Sequence, residues 1–314
     1  MIKRLIILTV AVLFSLTCIK CFCEENTILS KQEVFQIYES KLKELKLPLI
    51  DLDKIKYDIF NAEIETEGGK KLWDVACLHG GATMDIDPSS GRVVTFLNDA
   101  YYRELEKTTF AEKPKPTKNQ EEIISEAEKY IKIINSEMPK NVCFSEAKFK
   151  YDTNGLKLGF YHDGEWQILF RRIEGNYKYW QDYISISISE KYGLTGYRYE
   201  FFSQFHPPKK INISEEKAIS IAKKNINKII HSPLVGGWYN GYKTGECHSA
   251  GLIIVNPNYI HIPSKGYSFT PQPYARLAWV IGFQSLNMKT NKEDILTSSM
   301  IWIDAETGEV LGGG

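Results

Sequence analysis

The sequence predicts an α+β fold of three tandem modules, each an α-helix packed on a small antiparallel β-sheet. Three observations predict it. A capped amphipathic run, a Trp-led apolar strand and a strand, Gly turn and strand recur in that order three times. Proline-rich stretches at Lys113-Pro-Lys-Pro116 and His206-Pro-Pro-Lys209 separate the copies, because proline interrupts both helix and sheet. The 314 residues are 43% hydrophobic and 25% charged, which excludes a disordered chain, a collagen and a polytopic membrane protein. The expected modules span 24–110, 111–208 and 209–314.

Residues 1–23 read as a signal peptide. Lys3 and Arg4 form a basic start, and Leu5 to Leu16 is an uncharged apolar run. At about 1.5 Å per residue this run reaches ~18 Å, short of a ~30 Å hydrocarbon core. Small Cys21 and Cys23 flank Phe22 where cleavage would fall. Cys18, Cys21 and Cys23 also raise lipid attachment, but Ser15-Leu16-Thr17 before Cys18 is not the usual lipobox. The mature chain then carries no transmembrane span and lies outside the cytoplasm, secreted or in the cell envelope. Cys77, Cys143 and Cys247 remain, an odd and widely spaced set that makes no disulfide framework.

The helix starts come next. Ser30-Lys-Gln-Glu33 and Thr117-Lys-Asn-Gln120 have capping-box spacing, in which each end of the motif satisfies an amide donor of the other. Ser214 is followed by Glu215 and Glu216, which complement the helix dipole. Apolar residues then fall at helical spacing: Val34, Tyr38 and Leu42; Ile123, Ala127 and Ile131; Ala218, Ala222 and Ile226.

Strands led by Trp73, Trp166 and Trp279 follow. The hairpins Met84 to Val93, Ile186 to Thr195 and Ile301 to Val310 close the copies. Asp87 and Gly91, Ser189 and Gly193, and Asp304 and Gly308 each stand four apart. A short side chain that bonds turn amides, then a residue tolerant of positive φ, is what a tight loop with a bulge requires. The third copy has an insert, 231–274, in which Leu252 to Val255 reads either as an extra strand or as part of a long functional loop.

The third module resembles the PepSY domain through Ile213-Ser-Glu-Glu-Lys-Ala-Ile-Ser-Ile-Ala222 and Ile301-Trp-Ile-Asp-Ala-Glu-Thr-Gly-Glu-Val310. The tandem arrangement resembles secreted bacterial PepSY-like proteins, including the YcdB/YcdC repeat type. The first module matches in Asp85 to Val93 and lacks the Ala-rich helix; the second departs most, with Ser189 and Tyr192 in place of Asp and Thr. The resemblance implies a non-catalytic module that restrains peptidases or regulates envelope enzymes, with Asp304 and Gly308 as turn formers only.

The chemistry is sparse. Thirty-nine basic residues balance thirty-nine acidic ones, so no net field marks a nucleic-acid binder. No His-Glu-x-x-His, Gly-x-Ser-x-Gly, P-loop or Gly-x-Gly-x-x-Gly occurs. Asp85, Asp87 and Ser90 lack the Glu of a calcium loop. The expectation is no catalytic residue, no cofactor and no metal. The aromatic stretch from Phe160 to Phe205 reads first as core, because strands favour aromatics and one alternating set packs inward, and otherwise as a binding face. On the second reading Tyr161, Tyr177, Tyr179 and Trp180, with Trp238 and Tyr242 of the insert, are the candidate contacts for a protein partner, a secreted peptidase or cell-wall enzyme. The alternative is a hydrolase or metal enzyme in the insert, using Cys247 and His248, with His231 and His261 as further zinc ligand types of no recognised spacing.

Overall fold

The structure is a computed structural model. It describes residues 28–53, 57–60, 72–77, 81–107, 114–150, 164–201, 203–231, 242–260, 274–287 and 299–314. The expected signal peptide lies outside these residues. Among them are four helices, α1 (Lys31–Leu45), α2 (Asp99–Lys107), α3 (Gln120–Asn135) and α4 (Glu215–Ile230). The strands are β1 (Tyr57–Phe60), β2 (Trp73–Cys77), β3 (Thr83–Ile86), β4 (Val93–Leu97), β5 (Val142–Lys150), β6 (Glu165–Glu174), β7 (Tyr177–Ser189), β8 (Gly193–Glu200), β9 (Gln204–His206), β10 (Tyr242–Val255), β11 (Tyr274–Asn287), β12 (Ser299–Asp304) and β13 (Val310–Gly313). All thirteen join one sheet, so the fold is α+β.

A helix is followed by a four-stranded antiparallel meander three times: α1 with β1–β4, α3 with β5–β8, and α4 with β10–β13. We call these units 1 to 3. Trp73, Trp166 and Trp279 each lie on the second strand of a meander, opposite Ile86, Ile188 and Ile303. Of the two readings of Leu252 to Val255, the strand holds: these residues end β10, the first strand of the third meander. The expected linker at His206 begins inside β9, which pairs in parallel with the start of β11.

The helices share one burial code. Their caps are Ser30, Asn119 and Ser214, and the fourth, eighth, twelfth and fifteenth residues after each are buried: Val34, Tyr38, Leu42 and Leu45; Ile123, Ala127, Ile131 and Ile134; Ala218, Ala222, Ile226 and Ile229. The second cap corrects the Thr117 reading. Asn119, two residues further on, makes the box with Glu122, because the Thr117 amide and hydroxyl are taken by Glu190.

Thr117 instead joins the clasp that seats each helix on its hairpin turn. In unit 1 the Asp87 carboxylate accepts from the amides of Ser89 and Ser90, and Gly91 takes φ +69°. In unit 3 Asp304 accepts from the amides of Glu306 and Thr307, and Gly308 takes φ +77°. The residue before the cap bonds the residue after the turn Asp: Leu29 N–H to Pro88 O at 2.8 Å, Ile213 N–H to Ala305 O at 3.1 Å. A Cβ on Gly91 or Gly308 would press on Ile37 or on Ile213 and Ile221, so glycine also lets the helix approach.

Unit 2 builds the same clasp from a side chain. Ser189 Oγ replaces the Asp in accepting from Lys191 and Tyr192 amides, and Glu190 accepts from the Thr117 and Lys118 amides and from Trp166 Nε1 at 2.8 Å. Partial burial pushes the Glu190 carboxyl up, but the bonds from Thr117, Trp166 and Lys118 outweigh it and lower its pKa to about 2.

Units 1 and 2 share a core. β4 pairs antiparallel with β8, giving one sheet in the order β1-β2-β3-β4-β8-β7-β6-β5, with α1 and α3 on the same face. Lys41 of α1 donates to Ile133 O at 2.6 Å, and Asn135 of α3 exchanges both hydrogen bonds with the Val93 backbone. Unit 3 has its own core, α4 on Ile281, Phe283, Ile301 and Ile303.

Glu190→Gln is expected to cost roughly 1.5–3 kcal/mol at pH 7, the range for hydrogen bonds to a charged acceptor. The cost, read as the difference from wild type in urea unfolding, shrinks as pH falls from ~4.5 toward ~2, because a carboxylate with lowered pKa loses its contribution only as pH drops through the folded value. A difference that stayed constant with pH would remove the charge from this account.

Candidate interaction surface

The aromatic stretch is the first place to look for a partner surface. Tyr161 and Trp238 lie outside the described residues, as does the side chain of Tyr242, whose backbone starts β10. The other three sit where unit 3 meets unit 2. β7 is longer than the strand facing it in the unit 2 hairpin, and its first residues reach across to β10, pairing in parallel at Tyr179 and Ile254. Tyr179 is fully buried, its ring edge-on to Phe205 at 6.0 Å and 4.4 Å from the Arg172 guanidinium. Half-buried Trp180 packs on the Val255, Val280 and Trp302 cluster, with Arg171 at 5.1 Å from its ring. Half-buried Tyr177 packs on the cluster of Tyr179, Ile254 and Leu277.

These positions correct the expectation for Tyr179, and they put Tyr177 and Trp180 at an intramolecular joint. A polar network completes it. Asp182, without exposed surface, pairs with Arg172 at 2.8 Å and accepts from Ser203, whose hydroxyl also bonds Asn256 at 2.8 Å. Gln181 and the Asn256 amide add a bond at 3.0 Å. Carboxylate, hydroxyl and amide thus satisfy one another where water is excluded.

The residues of the enzyme alternative are not brought together. Cys247 pairs with Phe283, packs on the helix-side cluster of unit 3 and bonds Ser249 O at 3.6 Å. His248 is exposed and lies over Gly282, between strand residues whose side chains enter that cluster. Consecutive strand residues point to opposite faces, and the backbone irregularities on either side of Cys247 do not undo this. His231 is exposed at the end of α4, and His261 lies outside the described residues. Among the described residues no three His, Cys, Asp or Glu side chains are placed to hold a metal ion. Cys143 and Cys247 are half-buried free thiols, and the Cys77 side chain lies outside the described residues.

What faces outward is the side of the eight-stranded sheet away from α1 and α3. One register row crosses it from Asp74 through Asp85, Thr95, Arg198, Ser185 and Leu169 to Glu146. Its β2–β3 end is acidic. Burial pushes the Asp85 carboxyl up, the Thr95 hydrogen bond opposes this, and Asp74 beside it raises it again. Burial and the Asp99 charge likewise raise Asp74. The β5 end is more basic: a shallow groove of about 300 Å³ runs between Lys148, Lys150 and Glu146 on β5 and Arg171, Tyr183 and Ser185.

β5 borders that groove and is the sheet's outermost strand there. Among the described residues its nine residues pair only with β6. An unpaired strand edge is a template for another extended chain. Sequence reading missed β5, because Val142 to Lys150 mixes charge with apolar residues and lacks the Trp or Gly that marked the other strands. A second groove, about 610 Å³, opens between Lys223 and Asn227 of α4 and Lys243, Glu246 and Cys247 of β10.

No protein-family model and no curated protein matches the chain. Among solved structures it is similar to the Bacillus megaterium YpeB C-terminal domain, at 14% identity over 91% of this chain and 97% of that one, with a TM-score of 0.45. It is also similar to an uncharacterized protein from Eubacterium rectale, at 12% identity over 90% and 82% of the two chains, with a TM-score of 0.40.

Two outcomes test the surface. Asp182→Ala strands Arg172, about a quarter exposed, and is expected to destabilise by about 3 kcal/mol, the lower end for a broken buried pair. A loss below about 1 kcal/mol in denaturant unfolding would transfer the joint to its aromatic rings. Asp85→Asn is expected to be more stable than wild type at pH 7 and no more stable at pH 3. A carboxyl with raised pKa favours the fold fully below its unfolded pKa, and that stability is lost as pH rises through the folded value. Thermal unfolding at both pH values reads the difference.

Proposed function

We propose that this chain is an exported, non-catalytic binding protein of three tandem PepSY-like modules, 24–110, 111–208 and 209–314, that modulates a secreted peptidase or a cell-envelope enzyme. The PepSY-like part of the reading is supported by the clasp: Asp304 and Gly308 build the turn, and the Ile213 to Ala222 helix start sits on it. The same construction at Asp87 and Gly91 supports extending it to unit 1.

The observation that carries the binding role is the edge of β5 beside a groove bearing Lys148, Lys150 and Arg171. An extended segment of the partner enzyme would add to β5 through main-chain hydrogen bonds and set acidic side chains toward those cations. Export rests on the basic and apolar run of residues 1–23. Binding of this kind occludes or positions an enzyme and needs no reactive group on the binder.

The test is recovery of partners from envelope and secreted fractions with residues 24–314 as bait. The expected result is a peptidase or wall enzyme, with recovery reduced about fivefold or more, ~1 kcal/mol, when Lys148 and Lys150 are both changed to Glu. Recovery of no such enzyme, or recovery indifferent to the double change, would overturn the reading.

A further inference from the structure

Units 1 and 2 join through equivalent strands in a two-fold register. In each closing hairpin one residue of the last strand faces the Ile before the turn: Val93 faces Ile86 and Leu194 faces Ile188. The next residue, Val94 or Thr195, bulges out of register. Counted from there, Phe96 and Tyr197 hold the same position, and they are the pair at the centre of the β4–β8 seam. Thr95 opposite Arg198 and Leu97 opposite Gly196 fall symmetrically on either side.

β13 of unit 3 is built the same way. Val310 faces Ile303, Leu311 bulges, and Gly313 falls at the axial position. No strand lies on its outer edge among the described residues. The segment Asn256-Pro-Asn-Tyr-Ile260 lies there instead. The Asn258 and Tyr259 amides both donate to Leu311 O, at 3.1 and 3.0 Å. Asn258 Nδ2 donates to Gly313 O at 2.8 Å, and Gly313 N–H donates to Asn258 Oδ1 at 3.2 Å.

These bonds copy the seam. There the carbonyl of the bulged Thr195 accepts from Asn98 N–H of the other unit at 2.9 Å. In unit 3 the carbonyl of the bulged Leu311 accepts from Asn258. The Asn258 side-chain amide, one donor and one acceptor, answers Gly313 as a facing peptide group would. The backbone is shaped for it: a Cβ on Gly312, at φ +134°, would lie 1.7 Å from Asn258 Oδ1, and Tyr259 takes the left-handed φ of 47°.

We propose that residues 256–260 are a strap standing in for a docking strand, closing the edge through which a unit of this kind joins another. With the strap displaced, that edge receives β13 of a second copy in the antiparallel register of β4 and β8, Gly313 facing Gly313. A second copy is the occupant because the register is two-fold, so an identical strand is its own complement. Leu311-Gly-Gly313 carries none of the charges that protect exposed edges, which is why it needs a cover. This inference is independent of the proposed partner enzyme.

The test uses the mature chain with Asn258→Ala, and Asn258→Asp as a milder variant that keeps the acceptor and loses the donor. Amide exchange at Gly313 and sedimentation mass are followed from low to high protein concentration. The expected result is Gly313 exchange about tenfold or more faster in dilute Asn258→Ala, with a smaller rise in Asn258→Asp. At high concentration a dimer forms and Gly313 is protected again, while wild type keeps one mass throughout. The proposal is overturned if neither variant speeds Gly313 exchange, if the exposed edge leaves the mass unchanged, or if a dimer forms with Gly313 still exchanging fast.

Discussion

The clasp between helix start and hairpin turn is the constraint on which the remaining architecture depends. It ties the residue before each cap to the turn that ends the same unit, as in Leu29 to Pro88 and Ile213 to Ala305. A turn glycine at positive φ gives the helix a seat with no Cβ in the way. Once the first turn of the helix is placed, its rotation follows, and residues four, eight, twelve and fifteen past the cap must face the sheet. Unit 2 shows that the constraint is geometric and tolerates other chemistry. There Glu190 gathers with one carboxylate the bonds that backbone carbonyls make elsewhere.

The units are then assembled by two unlike joints. Units 1 and 2 fuse their sheets through β4 and β8 and bury one continuous apolar layer under α1 and α3. Non-directional burial of this kind supplies most of the driving force. Unit 3 is held by rings and a polar network around Asp182, Arg172, Ser203 and Asn256, where directional bonds fix orientation. The same strand ends therefore serve different purposes. β8 joins a neighbour, while β13 is closed by residues of its own unit.

This division of labour places the outward-facing chemistry. The polar side chains that make turns, caps and the joint are committed to one another. The described surfaces left to a partner are the outer face of the eight-stranded sheet, acidic at β2 and β3 and basic at β5, and the groove between α4 and β10.

Much of this was legible in the sequence because its signals are local. Ser30, Ser214, Asp87, Gly91, Asp304 and Gly308 interact within a few residues, and helical periodicity and Trp-led strands report on one face at a time. Other features were not legible. Thr117 lost its cap role to Asn119 because Glu190, far along the chain, draws it away. Tyr179 and Trp180 read either as core or as partner contacts until β7 is seen to outrun its unit and meet β10. The first strands β1 and β5 carry no Trp or Gly marker and form as part of their meanders, while the short helix α2 is marked only by Asn98, whose Oδ1 accepts from Tyr101 N–H. The sequence by itself determined the repeated helix and hairpin, since both are set by backbone conformation and short-range hydrogen bonds. Only the tertiary structure decided which units fuse, which edge is covered and which face stays open, because those outcomes arise from pairings between residues distant in the chain that no local pattern encodes.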